Sequence, residues 1–357
     1  MLLIWEISPF REFIFTLKKI RIDVNGLHTI SIYSMRRDHL KILIYGAGTI
    51  GSIFAGRLAL SGYDITVLAR GTRLVELKQN GVILVNPGNN REEIAKVNLI
   101  EHLLPDNIFD YIIVVMQKTQ IGSVLPILSQ NISKNIVFVV NTASGYDEWV
   151  HAVGSDRLML GFPSAGGERV DGRVHYFIGK GFMRAFQSTT FSEYSGQKTE
   201  RLQKIVDIFN SAGISSVVTS NMDMWQKTHV AMVTSIGNAL YKHNSNNFAL
   251  AKSYADIKLM VLGIKEGFAV LTKLGIKITP SKLHYLKLPV FMIAPIFKII
   301  MGTKFAETAM AKHTAAAKPE MICLQEEFDM LIKKSNVATP SIDKLRKNLS
   351  KDDSPIV

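Results

Sequence analysis

The sequence predicts an α/β protein, an N-terminal doubly wound sheet plus an all-α C-terminal domain. Three observations carry this. Short apolar runs bounded by turn residues alternate with helical stretches through the first half of the chain. A glycine triplet joins the first such run to the first helix. From about Asn221 onward the apolar spacing is helical and strand signals are few. At 357 residues the chain has the length of two domains, each long enough to bury its own core.

The first strand is Lys41-Ile42-Leu43-Ile44-Tyr45, a β-branched apolar run of the kind that forms a fully buried parallel strand. It feeds into Gly46-Ala47-Gly48-Thr49-Ile50-Gly51, then an amphipathic helix over Ser52–Ser61 stopped by Gly62 at C′. Asp64–Ala69 reads as the second strand. In such a G-x-G-x-x-G, Gly46 makes the tight turn, Gly48 lets backbone approach a pyrophosphate, and Gly51 lets helix and strand pack closely. The helix N-terminus offers free N–H groups and its positive dipole end. A glycine motif framed by strand, helix and strand is a strong sign of a Rossmann-type dinucleotide site. An NAD site would place an acidic residue at the end of the second strand, where this chain has Arg70. A guanidinium pairs bidentately with a 2′-phosphate, so NADP(H) is the expected cofactor. The alternative is a solvated loop arginine.

Further strands are expected at Gly81–Val85, Asp110–Met116, Asn135–Val140 and Ser216–Thr219, with helices near 72–80 and 119–130. Gly161–Gly181 reads as loops and antiparallel strands extending the same sheet. Ligands of open α/β sheets lie beyond the carboxyl ends of the strands. That singles out Gln117, Lys118 and Gln120 after one strand, and Asn141 and Thr142 after the next. The expected organisation is an extension or mis-called start over 1–37, with Met35 as the initiator, an NADP-binding domain over 38–219 and a helical substrate and catalytic domain over 220–350.

In the helical half, a long helix opens at Asp223-Met224-Trp225-Gln226-Lys227 and runs to about Tyr241. Lys227, Thr234 and Asn238 fall on nearly one face, with Ala231 and Ser235 beside them. Lysine is rarely buried without a partner. Lys227 is thus either a functional cation or one half of an i,i+4 pair with Asp223. A second long helix spans about Ala315–Asn336, with Met321, Leu324, Phe328 and Leu331 as its core stripe and Cys323 packed near it. Glu320 at its start suits the helix dipole, which alone would account for it.

Of the net charge of +12, residues 1–37 contribute +3, 38–220 contribute +1 and 221–357 contribute +8. A basic helical domain steers anionic small molecules, and no aromatic-basic motif points to nucleic acid. The longest apolar run, Leu288–Phe297, is ten residues and holds two prolines. That is half of what a spanning helix needs, so no stable membrane insertion is expected. A single cysteine, Cys323, argues against a disulfide framework or a cysteine-based zinc site. With no convincing signal peptide, a soluble, cytoplasmic protein without a metal is expected.

Over roughly residues 40–350 the chain resembles the ketopantoate reductase (2-dehydropantoate 2-reductase) family. The marks are the glycine loop at 46–51, the Val-Leu-Ala-Arg-Gly ending of the second strand, Asn141, Trp225-Gln226-Lys227, and Pro319-Glu320 followed by Thr339-Pro340. The resemblance implies NADPH-dependent reduction of a 2-oxo acid, ketopantoate first, in a cleft between the two domains. It makes Lys227 and Glu320 the catalytic residues, Glu320 helping to bind substrate near the reacting carbon, and Asn141 a contact to cofactor and substrate. The cofactor set is then Gly46, Ala47, Gly48, Thr49, Ile50, Gly51, Arg70, Gln117 and Asn141. The substrate set is Asn141, Ser235, Asn238 and Thr308. Where the family has asparagines four and eight residues after the lysine, this chain has Ala231 and Ser235. Thr308, Lys312 and Ile322 stand where the family has serine, aspartate and aspartate. Another oxo acid or an opine-like product, or a non-catalytic NADP-binding sensor, are the alternatives. A small-molecule substrate is the expected partner, and a homodimer is compatible with the sequence.

Overall fold

The computed structural model describes residues 40–86, 89–178 and 188–349. The expected extension over 1–37, the start at Met35 and the end of the 161–181 segment lie outside them. From Leu40 onward the chain forms one unit.

Twelve strands are present among the described residues: β1 (Lys41–Tyr45), β2 (Asp64–Leu68), β3 (Val82–Val85), β4 (Glu92–Ala95), β5 (Asn98–Ile100), β6 (Tyr111–Val114), β7 (Ile136–Val139), β8 (Leu158–Phe162), β9 (Ala165–Val170), β10 (Arg173–Ile178), β11 (Thr189–Glu193) and β12 (Ser216–Val218). Eight form one sheet in the order β12-β11-β8-β7-β6-β1-β2-β5. The strands from β5 to β8 run parallel, and β11 returns antiparallel to β8. The chain crosses from β2 on one side of β1 to β6 on the other, which places the topological switch point at the carboxyl ends of β1 and β6. Strand residues alternate between faces. Ile42, Ile44, Tyr111 and Ile113 enter one core, and Leu43, Tyr45, Ile112 and Val114 enter the other. Both faces are therefore covered, as the continuous apolar runs require.

The first helices are α1 (Thr49–Leu60), α2 (Gly71–Asn80), α3 (Ile121–Gln130), α4 (Asp147–Val153) and α5 (Glu200–Ser211). Contrary to the expected amphipathic pattern, α1 is apolar nearly all round, and Gly51 to Gly56 are all buried. A helix of that composition needs cover on two sides. One side is the main sheet. The other is a separate four-stranded sheet, β4-β3-β10-β9, against which α1 also packs. Leu84 and Val82 press on Gly56 so closely that a Cβ there would meet Leu84 at 2.7 Å. Hence β3, β9 and β10 do not extend the main sheet, as the sequence suggested, but build a second layer over α1.

Beyond β12 the described chain is helical: α6 (Met222–Tyr241), α7 (Asn247–Lys252), α8 (Tyr254–Lys273), a 3₁₀ helix at Ser281–Lys287, α9 (Val290–Met301), α10 (Lys312–Ala316), α11 (Lys318–Ser335) and α12 (Pro340–Arg346). A helical turn at Lys304–Ala306 and a π-helical turn at Glu307–Ala311 precede α10. The helices α6 and α8 approach closely because small residues face each other. A Cβ on Gly267 would sit 3.0 Å from Ala231 Cβ, and one on Gly263 would sit 2.9 Å from Ser235 Oγ.

Candidate functional site

The glycine loop lies between β1 and α1, and its three glycines do different work. At Gly46, with φ of +126°, a Cβ would fall 2.2 Å from the Val115 carbonyl oxygen. At Gly51 it would fall 1.9 Å from the Gly46 carbonyl oxygen. Both positions are closed by the protein's own backbone. At Gly48 a Cβ would meet nothing within 4 Å, so the space there is left for something the chain does not supply. Gly48 is also the N-cap of α1, with no side-chain cap and no acidic residue in the first turn. The N–H groups of Thr49 and Ile50 thus face outward at a positive helix end.

Arg70 follows β2 and is exposed. Burial raises the pKa of the Tyr45 phenol, and the neighbouring Arg70 charge opposes that rise. Three residues on, Arg73 fastens the glycine loop. Its Nε donates to the Ala47 carbonyl at 3.3 Å, its Nη2 to Ser52 Oγ at 3.0 Å and its Nη1 to the Gly172 carbonyl at 3.4 Å. Gln117 opens the turn after β6, where its backbone N–H donates to Gln120 Oε1 at 3.3 Å.

The loop after β7 begins at Asn141, whose Oδ1 is buried without a hydrogen-bond partner. Buried amide oxygens are nearly always satisfied, so this one marks a place for a donor. The next three residues are held by a carboxylate from the helical half. Glu327 on α11 accepts from the Ala143 N–H at 2.6 Å, the Ser144 N–H at 3.2 Å, Thr142 Oγ1 at 3.0 Å and Ser144 Oγ at 3.0 Å. Lys118 Nζ lies 3.5 Å from the same carboxylate and 5.1 Å from the centre of the buried Trp149 ring.

Gln226 joins α6 to the same sheet edge. It is buried, donates from Nε2 to the Val140 carbonyl at 2.8 Å and accepts from the Tyr146 hydroxyl at 2.7 Å. The next residue is Lys227. Its ammonium donates to both Asp223 oxygens, at 2.7 and 2.6 Å, so the i,i+4 pair anticipated from the sequence does form. The lysine side chain is 15% exposed and the aspartate 43%. On the opposite face of α6, Trp225 and His229 stack with planes 8° apart, and Phe162 packs tilted against both rings.

Glu320 sits in the first turn of α11 and is 9% exposed. Burial raises its carboxyl pKa to about 7, against a small opposing effect of the Lys118 backbone N–H. Cys323, one turn later, has its thiol pushed up by burial too.

Three residues expected on substrate make contacts within the protein, although Asn238 Oδ1 is buried without a hydrogen-bond partner. Ser235 is enclosed against Gly263 of α8, and its hydroxyl donates to the Ala231 carbonyl at 3.3 Å. Asn238 is buried between α6 and α11, where its Nδ2 donates to Gln325 Oε1 at 2.8 Å. Eleven residues of helix place it about 16 Å along α6 from Lys227, too far for one small acid to touch both. Thr308 lies in the π-helical turn with its hydroxyl donating to the Lys304 carbonyl at 3.1 Å. Arg73, Gln226 and Glu327 were not singled out from sequence as site residues. Glu320, Cys323 and Glu327 do recur at helical spacing beside the apolar stripe of α11, and that buried polar edge was the available signal.

The residues present fit a dinucleotide. The open Gly48, the uncapped α1 terminus and the exposed Arg70 suit phosphates, and the unpartnered Asn141 oxygen suits an amide or hydroxyl donor.

Residues 42–185 match the protein family described as ketopantoate reductase PanE/ApbA. A 2-dehydropantoate 2-reductase of Pyrococcus horikoshii is 27% identical over 256 residues, which cover 69% of this chain and 78% of that protein. One from Mesorhizobium japonicum is 28% identical over 212 residues, covering 53% and 63%. The solved structure of 2-dehydropantoate 2-reductase from Geobacter metallireducens aligns with a TM-score of 0.72 at 16% identity, over 87% of this chain and 99% of that one. D-mandelate dehydrogenase with NADH and anilino(oxo)acetate aligns with a TM-score of 0.70 at 18% identity, over 87% and 97%. At such identities the structural likeness speaks to the fold.

Proposed function

The chain is a divergent member of the ketopantoate reductase family, and on that footing we propose that it reduces a 2-oxo acid with NADPH, 2-dehydropantoate to pantoate first among them, in the cytoplasm. The observation that carries this reading is the buried, unpartnered Asn141 oxygen at the carboxyl end of β7. Ligands of open α/β sheets bind beyond the carboxyl ends of the strands, and Asn141 follows β7 at that end. NADPH supplies a hydride to the ketone carbon. Gly48 and the α1 terminus would hold its pyrophosphate, and Arg70 its 2′-phosphate. Lys227 delivers a proton to the alkoxide as it forms, its charge stabilising the oxyanion and drawing in the carboxylate. Asp223 accepts both hydrogen bonds from that ammonium and positions it from the more exposed side. With its pKa raised to about 7, the Glu320 carboxyl keeps a proton to donate to substrate oxygen below that pH.

A different 2-oxo acid is the second reading. Ala231 and Ser235 both pack on α8, so the hydrogen bonds the family's asparagines would give are missing. A site stripped of such bonds loses discrimination.

NADPH oxidation against a panel of 2-oxo acids separates these readings. Turnover of ketopantoate, reduced about 10²–10⁴-fold in Lys227→Ala, supports the first. Turnover of another acid alone supports the second. Oxidation of NADPH with none of them points to the sensor, and a Lys227→Ala variant as active as the parent removes the lysine from the mechanism.

A further inference from the structure

Helix α9 is apolar on every side, yet only one side is covered. Ile293, Ala294, Phe297 and Met301 are buried in the helical core. The opposite stripe, Leu288, Phe291, Met292, Pro295, Ile296 and Ile299, follows the same helical spacing and is exposed, Phe291 at 71% and Ile299 at 72%. A surface helix normally turns a polar face to water, so a second apolar face implies a second apolar neighbour.

The stripe is held rigidly. The preceding 3₁₀ helix, Ser281–Lys287, meets α9 at a bend of 117°. Lys265 Nζ fixes that corner, donating to the carbonyls of Leu286, Lys287 and Leu288 at 3.1, 2.9 and 2.9 Å. A groove of about 800 Å³ runs alongside, walled by Phe248, Tyr254, Pro295 and Ile299, with Lys252 and Lys298 among its lining residues. No single described helix is long and apolar enough to cross a membrane.

The charges around the stripe choose its neighbour. Residues 281–304 contain four lysines, Lys282, Lys287, Lys298 and Lys304, and no aspartate or glutamate. All four are exposed. A second copy of this chain packed on the same face would bring these lysines against their own counterparts. An anionic bilayer meets both demands at once, with acyl chains for Phe291, Ile296 and Ile299 and headgroup phosphates for the lysines. We propose that the outer face of α9 is a peripheral docking surface for an anionic lipid bilayer, the helix lying in the headgroup layer and not spanning it.

Co-sedimentation of the full-length protein with vesicles tests this. Vesicles of equimolar phosphatidylcholine and phosphatidylglycerol are expected to retain the protein at least about ten-fold better than phosphatidylcholine alone, since each lysine near the surface contributes several-fold. Phe291→Glu combined with Ile299→Glu is expected to abolish retention without lowering the melting temperature, because both side chains touch little of the core. Lys287→Gln combined with Lys298→Gln is expected to weaken retention only on the anionic vesicles. Retention unchanged by Phe291→Glu and Ile299→Glu overturns the proposal. So does a protein that ignores both vesicles but forms dimers in light scattering that the same substitutions dissociate.

Discussion

The backbone N–H of Ala143 donates a 2.6 Å hydrogen bond to a carboxylate oxygen of Glu327, 184 residues further along the chain. The same carboxylate takes Thr142, Ser144 and Lys118. One side chain of the helical half therefore sets the loop that begins at Asn141. Removing it leaves the buried Ala143 N–H without its acceptor, and leaves Ser144 and Lys118 with only their weaker contacts to Thr142 Oγ1 and Ser144 Oγ. Glu327→Ala is expected to cost about 3 kcal/mol of stability, read as a lower urea midpoint at unchanged slope. Glu327→Gln, which keeps one acceptor oxygen, is expected to recover part of the stability and the KM for the oxo acid. Equal losses in both variants would mean that the shape of the loop does not depend on this acceptor.

Two glycines of one motif are expected to fail differently. Gly51→Ala places a methyl 1.9 Å from a backbone oxygen, and a shift of backbone there costs about 1–3 kcal/mol or more. Gly48→Ala meets nothing of the protein, so the melting temperature is expected to hold while NADPH affinity falls. Thermal melts and NADPH fluorescence titrations distinguish them. A Gly48→Ala variant that binds NADPH like the parent would show that nothing approaches the loop at that point.

Arg70→Ala is expected to weaken NADPH about 10- to 100-fold, the value of one charge-assisted contact, and to leave NADH nearly unchanged. The ratio of the two KM values is the measurement. An unchanged ratio returns Arg70 to an ordinary loop residue.

Glu320 predicts a pH dependence of fixed sign. Burial raises its carboxyl pKa to about 7 from the 4.5 of an exposed glutamate. The folded protein therefore holds the proton more tightly than the unfolded one. The stabilising contribution is complete below the unfolded value and is lost as pH rises through the folded value. Between about pH 4.5 and 7 it declines by an amount on the order of 3 kcal/mol, since one pKa unit is about 1.4 kcal/mol. Glu320→Gln, which cannot ionise, is expected to flatten the difference in urea midpoint across that range. Parallel pH curves for the two proteins would count against a proton held at this site.

The parallel strands, the glycine loop and the long α6 helix could be read from the chain because each rests on local pattern: apolar runs, turn residues and a helical period. Arg70 and Asn141 stand out as candidates because strand ends locate ligands in this class of sheet. What could not be read is long-range. Nothing local tells β3 and β10 that they will pair with each other and not with the main sheet. The all-apolar character of α1 was the hint, since it left a face to be covered. Nothing local marks Glu327, because its partners lie on a loop in the other half of the chain. Ser235 and Asn238 lay close to the lysine's face of α6, but helical periodicity does not say which neighbouring helix a face meets. In the structure those neighbours are α8 and α11.

The clasp of α1 between two sheets has a consequence for how the molecule breathes. Amide exchange in a folded protein proceeds by local opening, and segments enclosed by long-range structure on every side open last. To release α1, both the parallel sheet and the β4-β3-β10-β9 layer must come away. Its amides are expected to exchange at the rate of global unfolding, while those of α9, with one face in water, exchange far sooner. The glycine loop around Gly48 would then outlast much of the helical half during partial unfolding, so that any ligand bound there would protect a remnant that keeps its native shape.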